Sequence, residues 1–346
     1  MHRDNRMTTA VLPSFFEASA RIDSRGFFQL PEKHPLFHGG TVFHGQVSYY
    51  LRGPSLAPVI IVLGGISSGK ETELWWPEMV GAGLAIDTDR YQVLSIDFLG
   101  GNHDSSGPDA NEHSSQAAAI DTRDQAKAIS LLLEHLNIDV VHNFIGASYG
   151  GMIALAFAEL FPNKVKQLCI LCAAHKSSNL GIAWRSIQRQ IIQLGADTEQ
   201  EEQAIALARA LAMTTYRSFI EFEERFSTAP YVVDGYFQFP VNGYLTSRGE
   251  AFKKNFCCRA YLCLSESIDL HHILPENIKT PITCISFDTD QLIPKKLMQE
   301  LAEYSQGKSQ HFHLTSLYGH DAFLKETQAI TPLIQQTLES NSHAQH

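Results

Sequence analysis

The sequence predicts an α/β fold: a mostly parallel sheet flanked by helices, with a helical cap inserted between two of its strands. Three observations predict it. Short, unbroken apolar runs recur at 58–63 (PVIIVL), 92–96 (QVLSI), 140–145 (VVHNFI), 165–172 (VKQLCILC) and 281–287 (PITCISF), as expected of strands buried on both faces. Stretches of helical periodicity separate most of them, the alternation that parallel crossovers require. That rhythm breaks between residues 176 and 270, which read as helices at 179–194, 198–212, 215–227 and 244–254 without a core strand. The core is therefore assigned to 1–175 and 271–346, and the cap to 176–270.

The elements follow in order. Residues 45–52 (GQVSYYLR) alternate like an antiparallel strand. The run 58–63 ends in Gly64-Gly65, and 92–96 leads through Asp97 into a glycine-rich loop. Residues 114–136 read as a helix whose apolar face carries Ile120, Ile129, Leu132, Leu133 and Leu136. After the strand at 140–145 comes a helix over 149–161, broken by Pro162. Beyond the cap, 309–314 (SQHFHL) is a sixth candidate strand of this series, followed by a loop and a closing helix near 325–338.

With 44% hydrophobic and 18% charged residues in 346, the chain has the composition of a soluble globular protein with a large core. A formal net charge of −10 argues against nucleic acid or an anionic membrane as a partner, while leaving room for a local basic rim. The start, MHRDNRMTTA, is charged and polar, unlike a secretory signal, and no apolar run reaches the roughly 18–20 residues of a membrane span. A cytoplasmic location is expected. The six cysteines lie in apolar or strand-like surroundings, which suits buried, reduced thiols. Cys169 and Cys172 have the spacing of a metal-ligand pair, but a strand would point them to opposite faces and no second pair exists. No metal is expected, and no glycine-rich phosphate signature calls for a nucleotide cofactor.

Chemistry enters at Gly146-Ala147-Ser148-Tyr149-Gly150. An apolar strand precedes this G-x-S-x-G pattern and an amphipathic helix follows it, the context of a nucleophile elbow in the α/β-hydrolase fold. Glycine at 146 and 150 lets strand and helix approach closely, leaving the Ser148 hydroxyl exposed on a sharp turn. The chain order for such a site is serine, acid, histidine. His320, in a loop after the last candidate strand, fits the base. His271, His272, His311 and His313 read as packed or surface histidines. The acid follows the strand 281–287, where spacing alone leaves Asp288 and Asp290 open. Two backbone N–H groups should form the oxyanion hole: that of Tyr149, after the nucleophile, and one from the loop Gly64-Gly65-Ile66-Ser67-Ser68, here assigned to Ile66.

The chain resembles the homoserine O-acyltransferases, α/β-hydrolase-fold enzymes that acylate the homoserine hydroxyl from acetyl-CoA or succinyl-CoA in methionine biosynthesis. The resemblance runs from about Val59 to Leu324. Besides the elbow it rests on Trp75-Trp76, Asp87-Thr88-Asp89-Arg90-Tyr91, Leu99-Gly100-Gly101 with Ser105-Ser106-Gly107-Pro108, and Thr122-Arg123-Asp124. Further pieces are Gly150-Gly151-Met152, Arg189-Gln190, Tyr244-Leu245, Ile268-Asp269-Leu270-His271, Asp290-Gln291-Leu292-Ile293-Pro294 and Gly319-His320-Asp321-Ala322-Phe323-Leu324. It implies Asp290 as the triad acid, and Arg189 and Asp321 as the residues holding a zwitterionic amino acid by its carboxylate and its ammonium. Without it, Arg189 reads as a solvated helix residue and Asp321 as a turn residue.

The implied reaction is ping-pong acyl transfer from acyl-CoA to L-homoserine, with acetyl-CoA the expected donor and succinyl-CoA the alternative. Coenzyme A enters as a substrate, no cofactor is needed, and a homodimer built through the cap is implied. Serine as acceptor and hydrolysis by a carboxylesterase or thioesterase are the competing activities. Three departures from the family pattern are visible: a short loop before Thr122, Glu266 where many members carry arginine, and the bulky Tyr149 after the nucleophile.

Overall fold

The computed structural model describes residues 20–107 and 119–340. The polar start of the chain, Pro108 and the first residues of the helix expected from 114 fall outside them. Eight strands form one sheet: β1 (Arg21–Gln29), β2 (Gln46–Pro54), β3 (Val59–Leu63), β4 (Gln92–Ile96), β5 (Asn143–Ala147), β6 (Leu168–Leu171), β7 (Ile282–Phe287) and β8 (Ser309–Leu314). Their spatial order is β1-β2-β4-β3-β5-β6-β7-β8. β1 and β2 pair antiparallel, as do β2 and β4. From β4 to β8 every pairing is parallel.

Strands β3 to β7 are buried along their whole length, which is why they read as continuous apolar runs. Two apolar clusters cover the two faces. One contains Ile61, Leu94, Phe144 and Ile170 and reaches into the helices that follow β4 and β5, while the other contains Ile60, Val62, Val93, Ile145 and Leu171. Strand β1 escaped the sequence reading because its residues alternate between exposed and half-buried, with no apolar run to mark it.

Helix α1 (Thr122–His135) starts at a capping box, in which Asp121 accepts from the Arg123 N–H and Asp124 accepts from the Asp121 N–H. Helix α2 (Tyr149–Leu160) follows β5 directly. Between β6 and β7 lie α3 (Asn179–Gly195), α4 (Glu201–Tyr216), α5 (Phe219–Arg225), α6 (Pro240–Lys253) and α7 (Cys258–Leu270). The sequence reading had no helix at α7. It also missed a small exposed hairpin, Tyr231–Val233 with Tyr236–Gln238. Helix α8 (Lys295–Tyr304) connects β7 to β8, and α9 (Thr327–Glu339) closes the described chain.

Two cysteine expectations change. Cys257 is exposed and caps α7, its sulfur accepting from the Ala260 N–H. Cys169 and Cys172 do not diverge: Cys172 leaves β6 with φ 48°, and that left-handed step places it in the same apolar cluster as Cys169.

Candidate active site

The parallel register brings two chain reversals together at one end of the sheet. Leu63 on β3 pairs with Gly146 on β5, and Ala147 pairs with Leu171 on β6. The loop after β3 and the turn after β5 therefore emerge side by side at the carboxyl ends of the strands, where open α/β sheets carry their sites. Ser148 occupies that turn at φ 53° and ψ −120°, a region that costs a non-glycine residue on the order of 1–3 kcal/mol. The turn is crowded. A Cβ at Gly146 would lie 2.4 Å from the Gly150 oxygen, and one at Gly150 would lie 2.4 Å from the Leu63 oxygen.

His320 sits in the loop after β8, with its Nε2 2.9 Å from the Ser148 Oγ and its Nδ1 2.8 Å from the Asp290 Oδ2. Asp290, three residues past β7, is held in turn: its Oδ1 accepts from the Leu292 and Ile293 N–H groups at 2.9 and 3.1 Å. Of the two acids left open by spacing, Asp290 is the one hydrogen-bonded to His320. Asp288 instead accepts from the Ser316 N–H at 3.0 Å, and Thr289 bridges to the Ser316 carbonyl and the Gly319 N–H. Those bonds clasp the acid loop to the histidine loop. Burial, the largest single effect, opposes a charged His320, but the charge and hydrogen bond of Asp290, with the charge of Asp321, outweigh it and hold the imidazole above its ordinary value. Asp321 adds to the rise and Arg185 subtracts from it.

A cavity of about 210 Å³ opens in front of Ser148. Its walls include Gly65, Ile66, Ser67, Tyr149, Trp184, Tyr216, His320 and Asp321. Ile66 and Tyr149 thus border it, and Tyr149 opens α2, where a first-turn N–H has no acceptor within the helix. The Tyr149 side chain turns away from the reaction. Its ring is fully buried edge-on to Phe98, and its hydroxyl bonds the Ser267 Oγ at 2.7 Å and accepts from the Gln125 Nε2 at 3.3 Å. The departure at 149 is therefore a tie between the elbow, α1 and α7. Glu266 is exposed, outside the wall of the cavity.

Asp321 borders the cavity beside His320 and forms an ion pair with Arg217 at 3.2 Å. Arg189 does not border it. Its guanidinium donates to the Ser265 Oγ at 2.9 Å and pairs with Asp269 at 2.7 Å. Two other arginines do reach the wall: Arg185, one helical turn before Arg189, and Arg209 on α4. Arg185 also pairs with Asp269, at 2.6 Å. Arg209 has no carboxylate in ion-pair range among the described residues and lies over the rings of Tyr216 and Phe252 at 5.2 and 4.6 Å. Sequence reading passed over it. The available signal was a lone cation inside the apolar stretch 204–213 (AIALARALAM).

A second, shallower pocket shares Ser67 and Arg209 with the first and adds His103, Arg248, Phe252, Asn255 and Phe256. Among the described residues one cluster has metal-ligand chemistry, with donor atoms of Cys172, Asp290 and His320 within 4.8 Å of one another. Its donors are already committed, since both His320 nitrogens are hydrogen-bonded. Burial and the neighbouring Asp290 hold the Cys172 thiol well above its ordinary value, and a metal would need the thiolate.

His271 is a core residue, as expected: its Nδ1 meets the Thr122 Oγ1 at 2.7 Å, its Nε2 the Ala174 carbonyl at 3.1 Å, and burial lowers its pKa to about 3. His311 and His313 share the Ser286 hydroxyl.

Comparison with known proteins places this geometry in a family. A model of the α/β hydrolase fold matches residues 57–327. A homoserine O-succinyltransferase from Xanthomonas campestris pv. campestris is 35% identical over 314 residues, spanning 88% of this chain and 82% of that protein. A homoserine O-acetyltransferase from Geotalea uraniireducens is 30% identical, spanning 80% and 82%. Among solved structures, the homoserine O-acetyltransferase from Staphylococcus aureus superimposes with a TM-score of 0.79 at 25% identity, covering 94% of this chain and 98% of that one. Esterase E22 superimposes with a TM-score of 0.80 at 21% identity, a likeness of fold, covering 92% of this chain and 100% of that one. The chain belongs to the homoserine O-acyltransferase family of α/β-hydrolase-fold enzymes.

Proposed function

We propose that the protein transfers an acyl group from acyl-CoA to the hydroxyl of L-homoserine through an ester on Ser148. The observation that carries the chemistry is the continuous relay from the Ser148 hydroxyl through His320 to Asp290 at the floor of a cavity with an unpaired guanidinium on its wall. His320 takes the Ser148 proton as Oγ attacks the thioester carbonyl. The carbon–sulfur bond breaks, and coenzyme A leaves as the thiol with the proton from His320. Homoserine then gives its hydroxyl proton to His320 and attacks the ester carbonyl. The bond to Ser148 breaks, and the proton returns to the serine oxygen. The Ile66 and Tyr149 N–H groups serve as donors to the oxyanion in both halves. The scheme needs no metal and no resident cofactor.

Arg209 takes the role first given to Arg189. A free guanidinium on the cavity wall suits the acceptor's carboxylate, and Asp321, beside the base, suits its ammonium. The pocket around Arg248 is the donor's entrance, because it shares walls with the reaction cavity. We assign the product to methionine biosynthesis and the reaction to the cytoplasm, where acyl-CoA is at hand. Among the described residues no helix is long and apolar enough to cross a membrane.

Thiol release from acyl-CoA tests the reading. Release should depend on homoserine, and serine should be a poorer acceptor. The Ser148→Ala protein should lose roughly 10⁴-fold or more of the rate. Thiol release at full rate without any amino acid would make the protein a hydrolase.

A further inference from the structure

The cavity wall carries more positive charge than an acetyl group and an amino acid call for. In the reaction proposed above, homoserine brings one carboxylate, and Arg209 meets it. Arg185 is a second guanidinium on the same wall, and its side chain is only 13% exposed. It is not neutralised one to one. Arg185 pairs with one oxygen of Asp269 at 2.6 Å, and Arg189 pairs with the other at 2.7 Å. The remaining contacts are with neutral oxygens: Arg185 donates to the Ser177 Oγ, and Arg189 to the Ser265 Oγ and carbonyl. Two guanidiniums on one carboxylate leave a net positive charge at the edge of the site.

Poorly solvated excess charge is costly, and it favours binding of an anion that can pair with it. The other cavity-edge ion pairs offer no such surplus, because Arg217 is met by both Glu221 and Asp321. Arg185 also acts at close range on the reacting histidine, whose affinity for a proton its charge reduces.

We propose that Arg185 binds the distal carboxylate of a dicarboxylic acyl donor, so that Ser148 carries a succinyl rather than an acetyl group. The inference rests on the acyl-transfer reading and narrows its donor. In the first half-reaction Ser148 Oγ bonds to the thioester carbon of succinyl-CoA and the carbon–sulfur bond breaks. Coenzyme A departs as the thiol, and the free carboxylate, two methylenes beyond the new ester, pairs with Arg185. In the second half the acyl-enzyme and homoserine occupy the cavity together, presenting two carboxylates to two guanidiniums, Arg185 and Arg209. The homoserine oxygen forms the new ester bond, the bond to Ser148 breaks, and His320 returns the proton to the serine oxygen. Nothing is oxidised or reduced.

The test compares kcat/KM for succinyl-CoA and acetyl-CoA, each with saturating L-homoserine, in the full-length wild type and in Arg185→Ala. The wild type should prefer succinyl-CoA. In the variant the succinyl-to-acetyl ratio should fall by roughly 10- to 150-fold, the range for a lost charge-assisted hydrogen bond. The ratio cancels a general loss of folded enzyme, and Arg185→Lys, which keeps the charge without the fork, should fall between the two. A wild type that turns over acetyl-CoA faster than succinyl-CoA overturns the proposal without any variant. An unchanged ratio in Arg185→Ala overturns it as well. Failure of the wild type to acylate homoserine from either donor would instead defeat the acyl-transfer reading beneath it.

Discussion

Ser148 is held at a backbone angle that few serines adopt, and the neighbouring glycines make that angle possible. In the proposed scheme its reactivity depends on His320, whose charge state is set by opposing effects. Burial, the largest single effect, disfavours the imidazolium, while the charge and hydrogen bond of Asp290 together with the charge of Asp321 favour it and prevail over burial and Arg185. A base must be neutral to accept the serine proton, so a raised value moves the loss of activity on acidification to higher pH. The acid limb of kcat/KM should therefore inflect above about 6.5, the ordinary histidine value. Asp290→Asn should lower kcat by about 10⁴-fold and shift that limb to lower pH, since the counter-charge is gone. A pH–rate profile of the wild type centred below the ordinary value would contradict the electrostatic account. The same scale shows where the sequence was legible. Ser148 and His320 are singled out by motif and chain order, because a fixed residue type is expected at a fixed place after a strand, and the structure brings the two within hydrogen-bond distance. Asp288 and Asp290 could not be separated by spacing, since the loop's hydrogen bonds to Leu292, Ile293 and Ser316 decide which carboxylate turns inward.

At the level of elements, the central strands were readable because burial on both faces leaves an unbroken apolar run. Strand β1 was not, because its exposed register resembles a loop. Cap arginines were the least legible. Arg185, Arg189 and Arg209 all stand on helices, and only the packing of α3 against α7 shows that Arg189 spends its charge on Asp269. The contact of β3, β5 and α2 makes a stability prediction. Gly150→Ala would push a methyl group against the Leu63 carbonyl, and overpacking of this kind costs on the order of 1–3 kcal/mol. Chemical denaturation should show a lower midpoint, with activity falling more than stability because the elbow itself moves. Helix α6 makes a prediction about the donor. Arg248 borders the entrance pocket beside His103 and Asn255, and no acid lines that pocket among the described residues, which suits the phosphates of coenzyme A. Arg248→Glu should raise KM for acyl-CoA roughly 10-fold or more, while leaving KM for the corresponding acyl-pantetheine, which lacks the nucleotide, unchanged. Equal effects on both thioesters would remove Arg248 from the donor site.

For the whole molecule, a net charge of −10 coexists with a cavity whose wall carries guanidiniums, so the anionic substrates of the proposed reaction would meet a local field opposite in sign to that of the protein. The surface has a second asymmetry. The hairpin between α5 and α6 and its flanks expose Tyr231, Val232, Tyr236, Phe237 and Phe239, each at least 49% accessible, and Phe219 and Ile220 on α5 are exposed as well. Single exposed apolar residues are ordinary, but a run of this kind on one short segment marks an interaction surface. Pairing the same surface on two copies is the simplest closed arrangement, and it would cover aromatic side chains that water otherwise meets. The homodimer implied by the family is accordingly expected to form through this hairpin and not through the outer edges of the sheet. Light scattering on the eluting protein should give twice the mass of the chain, and Tyr236→Ser combined with Phe237→Asp should give the mass of one. Tyr236 and Phe237 are exposed on the hairpin, so replacing them removes no core packing and the monomeric variant should retain its helical circular dichroism. A wild type that elutes as a monomer at every concentration tested, or a double variant that remains a dimer, would rule out this surface as the interface.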